Sequence, residues 1–204
     1  MSSVRGTTRQ YWVALRAMIV FTIVLGIGYP AVVTGISLLA PSQANGSLVS
    51  VGGKTVGSSL IGQGFTDKKG NALPQWFQSR PSAAGTGYDG GASSGSNLGT
   101  ESDTLVKAIK DRTAAIAKSD GVDPSKIPAD ALTASASGLD PQISPEYARL
   151  QVTRVAATRG IKESDVSALV ETAVTGRQLG YFGEPTVNVL LLNIALSKLD
   201  PSGD

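Results

Sequence analysis

The 204-residue chain contains no cysteine and no histidine. Disulfide bridges, thiolate nucleophiles, imidazole bases and ordinary zinc sites are therefore excluded. A small secreted eukaryotic domain would more often need disulfides, so their absence leans toward a bacterial chain. Acidic residues are missing from the N-terminal region, with none before Asp67. Eighteen Lys and Arg stand against 16 Asp and Glu, a net charge of +2. Setting aside Arg5, Arg9 and Arg16 leaves 15 against 16, a balance of −1. The rest of the chain lacks the positive field of a nucleic-acid binder, and nucleic acid is not an expected partner.

Charge is also absent from a long stretch that is present for another reason. Ala17 to Ala40 is uncharged and largely apolar, and as a helix it would be about 36 Å long, enough to cross a hydrocarbon core of about 30 Å with some tilt. The apolar region of a cleaved secretory signal is shorter, about 7 to 15 residues. Small residues at Ser42-Gln43-Ala44 would suit a cleavage site, but the length favours an uncleaved anchor and a lipid bilayer as partner. Three Arg precede the run and only Lys54 follows closely, and such Lys and Arg are retained in the cytoplasm. The expected layout is a cytoplasmic arm over 1–11, a transmembrane helix over 12–40 and an extracytoplasmic domain over 41–204. Within the span, Gly28, Tyr29, Pro30 and Gly35 offer small or polar surface to another membrane helix.

The outer segment predicts an α+β fold: one mixed α/β domain with long loops, since Gly and Pro make up 34 of the 204 residues. Residues 47–80 are expected to be β-rich, 83–101 a loop and 102–199 mainly helical. Ser47 to Val51 and Lys54 to Val56 flank Gly52-Gly53, the pattern of a hairpin with a type I′ turn. A further strand is expected over Ser58 to Gly62, and Trp76-Phe77-Gln78 as a brief strand or extended loop. Leu105, Ala108, Ile109 and Ile116 share one face of a helix ending near Gly121. Ser144-Pro145 opens a helix running to about Thr158 and closed by Gly160. Val166, Leu169, Val170, Ala173 and Val174 mark an amphipathic helix ended by Gly176. The stretch from Val187 to Leu199, preceded by Pro185, reads as a final helix.

Motifs that suggest chemistry have simpler readings. Gly53-Lys54-Thr55 resembles the end of a phosphate-binding loop, but the leading glycine position holds Leu48, so a hairpin turn is expected. No Ser has Lys three positions later, and the serines are read as caps and loop ties. Asp130, Asp140 and Glu184 lie beside turn residues and are read as capping or Arg-pairing groups before acid-base catalysts. Arg80, Arg154 and Arg177 sit in charge-poor segments where two-point carboxylate pairing is expected: Arg80 with Asp130, or Arg154 with Glu184. Asn45-Gly46-Ser47 fits a glycosylation sequon and is read as a linker. A membrane-anchored hydrolase and a secreted binding domain remain as other classes.

Several segments together resemble one family. They are Gly57 to Gln63; Phe77 with Arg80-Pro81-Ser82-Ala83; Ser94 to Gly99, including Asn97; Asp130 to Pro141; Ile143-Ser144-Pro145; Gln151-Val152 with Arg154-Val155-Ala156 and Arg159-Gly160; and Gly183-Glu184-Pro185 with Val187-Asn188-Val189-Leu190. This set resembles the small C subunit of the bacterial Kdp potassium-transporting ATPase over nearly the whole chain. Trp76 stands where the family often has Tyr, Ser94 where a second Gly is usual, and Thr186 where Arg is frequent; these departures touch local contacts. The resemblance implies a non-catalytic subunit assembled with a channel-like subunit, a P-type ATPase subunit and a very small membrane peptide. ATP and Mg would act on the ATPase subunit and K+ on the channel-like subunit, with no cofactor held here. The family is described as a catalytic chaperone that raises ATP affinity, and the expected topology makes any such effect indirect.

Overall fold

The computed structural model describes residues 4–203, and the first three residues of the 1–11 arm lie outside the described residues. The chain divides after Ser47 into two units. In the first, α1 (Val4–Phe21) continues into a π-helical stretch (Thr22–Gly28) and α2 (Tyr29–Ser37). Thr7–Ser37 forms a 31-residue helix apolar enough to cross a membrane, and its large side chains, such as Ile19, Phe21 and Leu25, are exposed.

The π-helical stretch has a cause in the sequence. Pro30 has no N–H, and in a regular α-helix its ring would meet the Gly26 carbonyl four residues earlier. Widening the preceding turns relieves that clash, and the Tyr29 N–H reaches the Val24 carbonyl, five residues back. The regular helix closes at Ser37, and Pro41 opens a separate turn, α3 (Pro41–Ala44).

The second unit begins with β1 (Leu48–Val51) and β2 (Lys54–Ser58), an antiparallel pair. Gly52 and Gly53 have φ of 56° and 79°, the doubly positive pair a type I′ turn requires, so the hairpin forms as read. The strand expected over Ser58 to Gly62 does not form. The Leu60 N–H turns back to the Ser58 hydroxyl at 3.1 Å, and the Gly62 N–H bonds the Leu139 carbonyl at 2.9 Å. Trp76 lies in a bend, Phe77 and Gln78 join no ladder, and 83–99 is a turn-laced loop.

α4 (Asp103–Asp120) ends on Gly121 at φ 65°, and α5 (Ala129–Leu132) is a single turn. The helix expected from Pro145 to Thr158 is two: α6 (Pro145–Leu150) and α7 (Val152–Arg159). Ser144 caps α6 through the Tyr147 N–H at 3.1 Å, and Gly160 closes α7 at φ 67°. The break falls at Gln151, whose carboxamide is engaged elsewhere, as described below. α8 (Glu163–Ala173) stops before Gly176 because Val174 leaves it to enter a strand.

That strand belongs to a three-stranded antiparallel sheet, which no sequence signal announced. β3 (Gln142–Ile143) and β4 (Val174–Thr175) flank β5 (Thr186–Asn188). The first part of the expected last helix is therefore strand, and α9 (Val189–Leu199) starts after Asn188, whose side chain accepts the Leu191 N–H at 3.1 Å. The core lies where α7, α8 and α9 meet this sheet. Val155, Val166, Val170, Val187, Leu192 and Leu196 are fully buried there, each worth about 1.5–3 kcal/mol of transfer free energy.

Candidate functional site

The irregular segment 74–82 of the second unit has no strand partner. Buried backbone groups must find hydrogen bonds somewhere, and here side chains supply them. The Asn193 carboxamide, on the largely apolar α9, accepts the Phe77 N–H and donates to the Phe77 carbonyl, both at 3.0 Å. Gln151, at the α6–α7 break, does the same for Gln78, accepting its N–H at 2.6 Å and donating to its carbonyl at 3.1 Å. Two consecutive residues are thus paired by amides in place of a neighbouring strand. Phe77 is fully buried between them.

Two arginines of α7 hold the residues just before. Arg154 donates to Asp120 at 2.5 Å, to Gln151 at 2.7 Å, to the Trp76 carbonyl at 3.1 Å and to the Pro74 carbonyl. Its pair with Asp120 is buried, at 8% and 4% side-chain exposure. Arg159 donates to the carbonyls of Gln75 and Asp200, each at 2.9 Å, and its guanidinium lies 4.3 Å over the Trp76 ring, a geometry in which the ring face attracts the cation. The expected Arg154–Glu184 pair does not exist, because the closer Asp120 ends α4 beside it. Glu184 pairs instead with Arg177 across the base of an exposed turn.

The segment's second half closes onto the loop 133–141. Arg80 pairs with Asp140 at 3.3 Å, not with Asp130 as expected. Asp130 is taken by Ser144, whose N–H and hydroxyl donate to it at 2.7 and 2.9 Å. The Ser82 hydroxyl donates to the Gly138 carbonyl at 2.6 Å and accepts the N–H groups of Ala84 and Tyr88. The Tyr88 hydroxyl donates to the Arg80 carbonyl at 2.7 Å, and burial pushes the ionisation of this phenol up. Gly62 has no room for a side chain: a Cβ there would lie 2.4 Å from the Tyr88 ring and 2.5 Å from the Asp140 carbonyl.

Of the residues singled out in the sequence, the fold brings Arg80, Ser82 and Asp140 together. Arg154 sits on the other half of the same segment. Asn188 links elsewhere, donating to the Ser59 carbonyl at 2.9 Å. Asn97 stands apart, exposed, at φ 50°. Gly28, Tyr29, Pro30 and Gly35 lie on the apolar helix, all exposed. The sequence alone does not show Gln151, Asn193 and Arg159 as ties of the 75–78 backbone, or Asp120 as the partner of Arg154. Nor does it show the tip at 178–182, where Leu179, Tyr181 and Phe182 are 80%, 64% and 55% exposed. Among the described residues, no three His, Cys, Asp or Glu are grouped to hold a metal ion. The serines act as hydrogen-bond ties, and the arrangement fixes loops in place.

The family described as "K+-transporting ATPase, c chain", KdpC, matches residues 11–198. The chain belongs to the KdpC family. It is 53% identical over 193 residues to the potassium-transporting ATPase KdpC subunit of Kineococcus radiotolerans, covering 95% of each chain. The KdpC subunit of Caulobacter vibrioides is 52% identical over 191 residues, 92% of each, and that of Streptomyces avermitilis 45% identical over 216 residues, 97% of each. Of the motif residues that carried the resemblance to KdpC, Arg80 and Ser82 meet Asp140 and Gly138, and Gln151, Arg154 and Arg159 hold the backbone of 74–78.

Proposed function

We propose that this chain is a non-catalytic subunit of a high-affinity, ATP-driven potassium uptake pump in a bacterial inner membrane. It spans the membrane once, keeps its N-terminus in the cytoplasm and holds its folded domain outside. There it stabilises the complex and assists the ATPase subunit. Its partners are a channel-like potassium-translocating subunit, a P-type ATPase subunit and a very small membrane peptide. ATP and Mg act on the ATPase subunit, K+ on the channel-like subunit.

The observation that carries this reading is the family match over residues 11–198, which takes in the apolar helix as well as the domain. Orientation rests on charge: Arg5, Arg9 and Arg16 precede the run, and only Lys54 follows closely. An effect on ATP handling is then indirect, transmitted through the assembled subunits. Support for an assembly role comes also from the exposed apolar tip at Leu179, Tyr181 and Phe182, since contiguous exposed apolar groups mark contact surfaces.

Orientation is tested by single-cysteine labelling, for which a chain with no native cysteine is suited. Ser93→Cys should react with an impermeant maleimide in intact spheroplasts, and Ser2→Cys only after permeabilisation. Reaction of Ser93→Cys solely from the cytoplasmic side would overturn the topology.

A further inference from the structure

A cleft of about 570 Å3 opens between the pinned segment and α4, lined by Arg80, Tyr88, Arg112, Ile116, Ala131 and Tyr147 among others. Its volume is in the range of small-molecule sites, about 300 to 1,000 Å3. Three of its polar groups are under-used. Tyr147 is only 4% exposed, yet its hydroxyl has no hydrogen-bond partner among the described residues. The Arg80 Nε is buried and also without a partner. Arg112 donates to the Leu132 carbonyl at 2.7 Å and has no carboxylate within ion-pair distance among the described residues.

A buried, unpaired donor carries a desolvation cost of about 1–3 kcal/mol; the Arg80 Nε is such a donor, and the Tyr147 hydroxyl and the half-buried Arg112 guanidinium line the same cavity. The other charges in the cleft wall do not compensate them. Arg154 and Asp120 neutralise each other, and Asp140, which is not part of the cleft lining, reaches Arg80 only at its Nη1, at 3.3 Å. The cleft is left with excess positive charge and only donors to offer from Arg80 and Arg112. Ile116 and Ala131 give it apolar walls.

We propose that this cleft binds a small oxyanion, a carboxylate or phosphate on a compact apolar body, held by the guanidinium groups of Arg80 and Arg112 and by the Tyr147 hydroxyl. Planar guanidinium groups donate two parallel hydrogen bonds to such anions, and a phenol donates the third. Burial raises the ionisation of Tyr147 far above its ordinary value, so the hydroxyl keeps its proton as donor at any physiological pH. The site concerns the folded domain alone and does not depend on the pump assignment.

The test uses the full chain in detergent micelles, with side-chain NMR signals of the arginines and Tyr147 followed at constant ionic strength. Inorganic phosphate, butyrate and dihexanoyl phosphatidic acid are titrated separately, which distinguishes a free phosphate, a carboxylate and a lipid headgroup. Saturable shifts of the Arg80, Arg112 and Tyr147 signals in at least one arm are expected. Arg112→Gln and Tyr147→Phe should each weaken that binding about tenfold, while Arg149→Gln, outside the cleft, leaves it unchanged. Tyr147→Phe preserves the ring packing and keeps the test open if Arg112→Gln does not fold. No saturable shift in any arm, or binding that both cleft variants leave intact, would overturn the proposal.

Discussion

Asn193 closes a two-point hydrogen-bonded ring with the backbone of Phe77, both bonds at 3.0 Å, across 116 positions of sequence. A polar residue in the middle of α9 thereby does for one residue what a neighbouring strand would do. Asn193→Ala would leave a buried N–H and a buried carbonyl unpaired as well as a void. A loss of about 2–4 kcal/mol is expected, read as a lower denaturant midpoint. Asn193→Asp, which keeps the acceptor but removes the donor, should also destabilise.

The Arg154–Asp120 pair predicts an asymmetry. Removing one partner alone leaves an uncompensated buried charge, so Asp120→Asn and Arg154→Met should each cost about 3–5 kcal/mol. The double variant should cost less than the sum of the two. Equilibrium unfolding of the four proteins in the cycle measures this coupling.

Glycines at similar backbone angles should respond differently. Gly138 has φ 70°, and a Cβ there would lie 2.7 Å from the Ala84 Cβ and from the Ser94 carbonyl oxygen. Gly121 has φ 65° and open space around the same position. Gly121→Ala should cost about 1 kcal/mol from backbone strain, and Gly138→Ala clearly more, because backbone atoms must also move. Thermal unfolding of the two variants side by side gives the comparison.

Acid and alkali should each weaken the fold through identified groups. The Ser202 hydroxyl, donating at 2.5 Å, holds the Asp200 carboxyl below the usual range, and Arg149 does so for Glu171. A carboxyl depressed in the folded state adds stability above its unfolded pKa and loses it as pH falls through the folded one. Stability should therefore decline below about pH 4, and Glu171→Gln should flatten part of that decline. Burial raises Tyr88 and Tyr147, so their contribution is complete below about pH 10 and falls as the unfolded phenols ionise above it. Tyr88→Phe should reduce the alkaline slope in pH-dependent denaturation.

On the apolar helix, a Cβ at Gly35 would meet nothing within 4 Å, so the chain itself tolerates a larger residue there. Gly28→Leu and Gly35→Leu should nonetheless reduce recovery of the assembled pump, because the proposed contact is with a neighbouring helix. Unchanged recovery in both would remove these positions from the interface.

Features with a local signal were readable in advance. Gly52-Gly53 specified its turn, Ser144-Pro145 its cap, and Gly121 and Gly160 their helix ends, while the apolar run announced a helix that spans Thr7–Ser37 in place of the expected 12–40. Pairings across sequence distance were not. Arg154 stood out in a charge-poor segment, but its partner Asp120 lies 34 positions earlier on α4, and nothing local distinguishes it from Glu184. The roles of Gln151 and Asn193 had no local signal, because their bonds are to the backbone of Phe77 and Gln78, which carries no sequence signature. The two- and three-residue strands β3, β4 and β5 are too short for a period of two to show. Val174 and Val187 therefore read equally well as helix.

In the proposed function, this chain works as one subunit of a potassium pump. Affinity purification of the tagged full chain from native membranes, with its partners identified by mass spectrometry, tests it most directly. The prediction is near-equal recovery of a P-type ATPase subunit and a channel-like subunit with it, whereas recovery of the chain alone from membranes that contain both would contradict the claim.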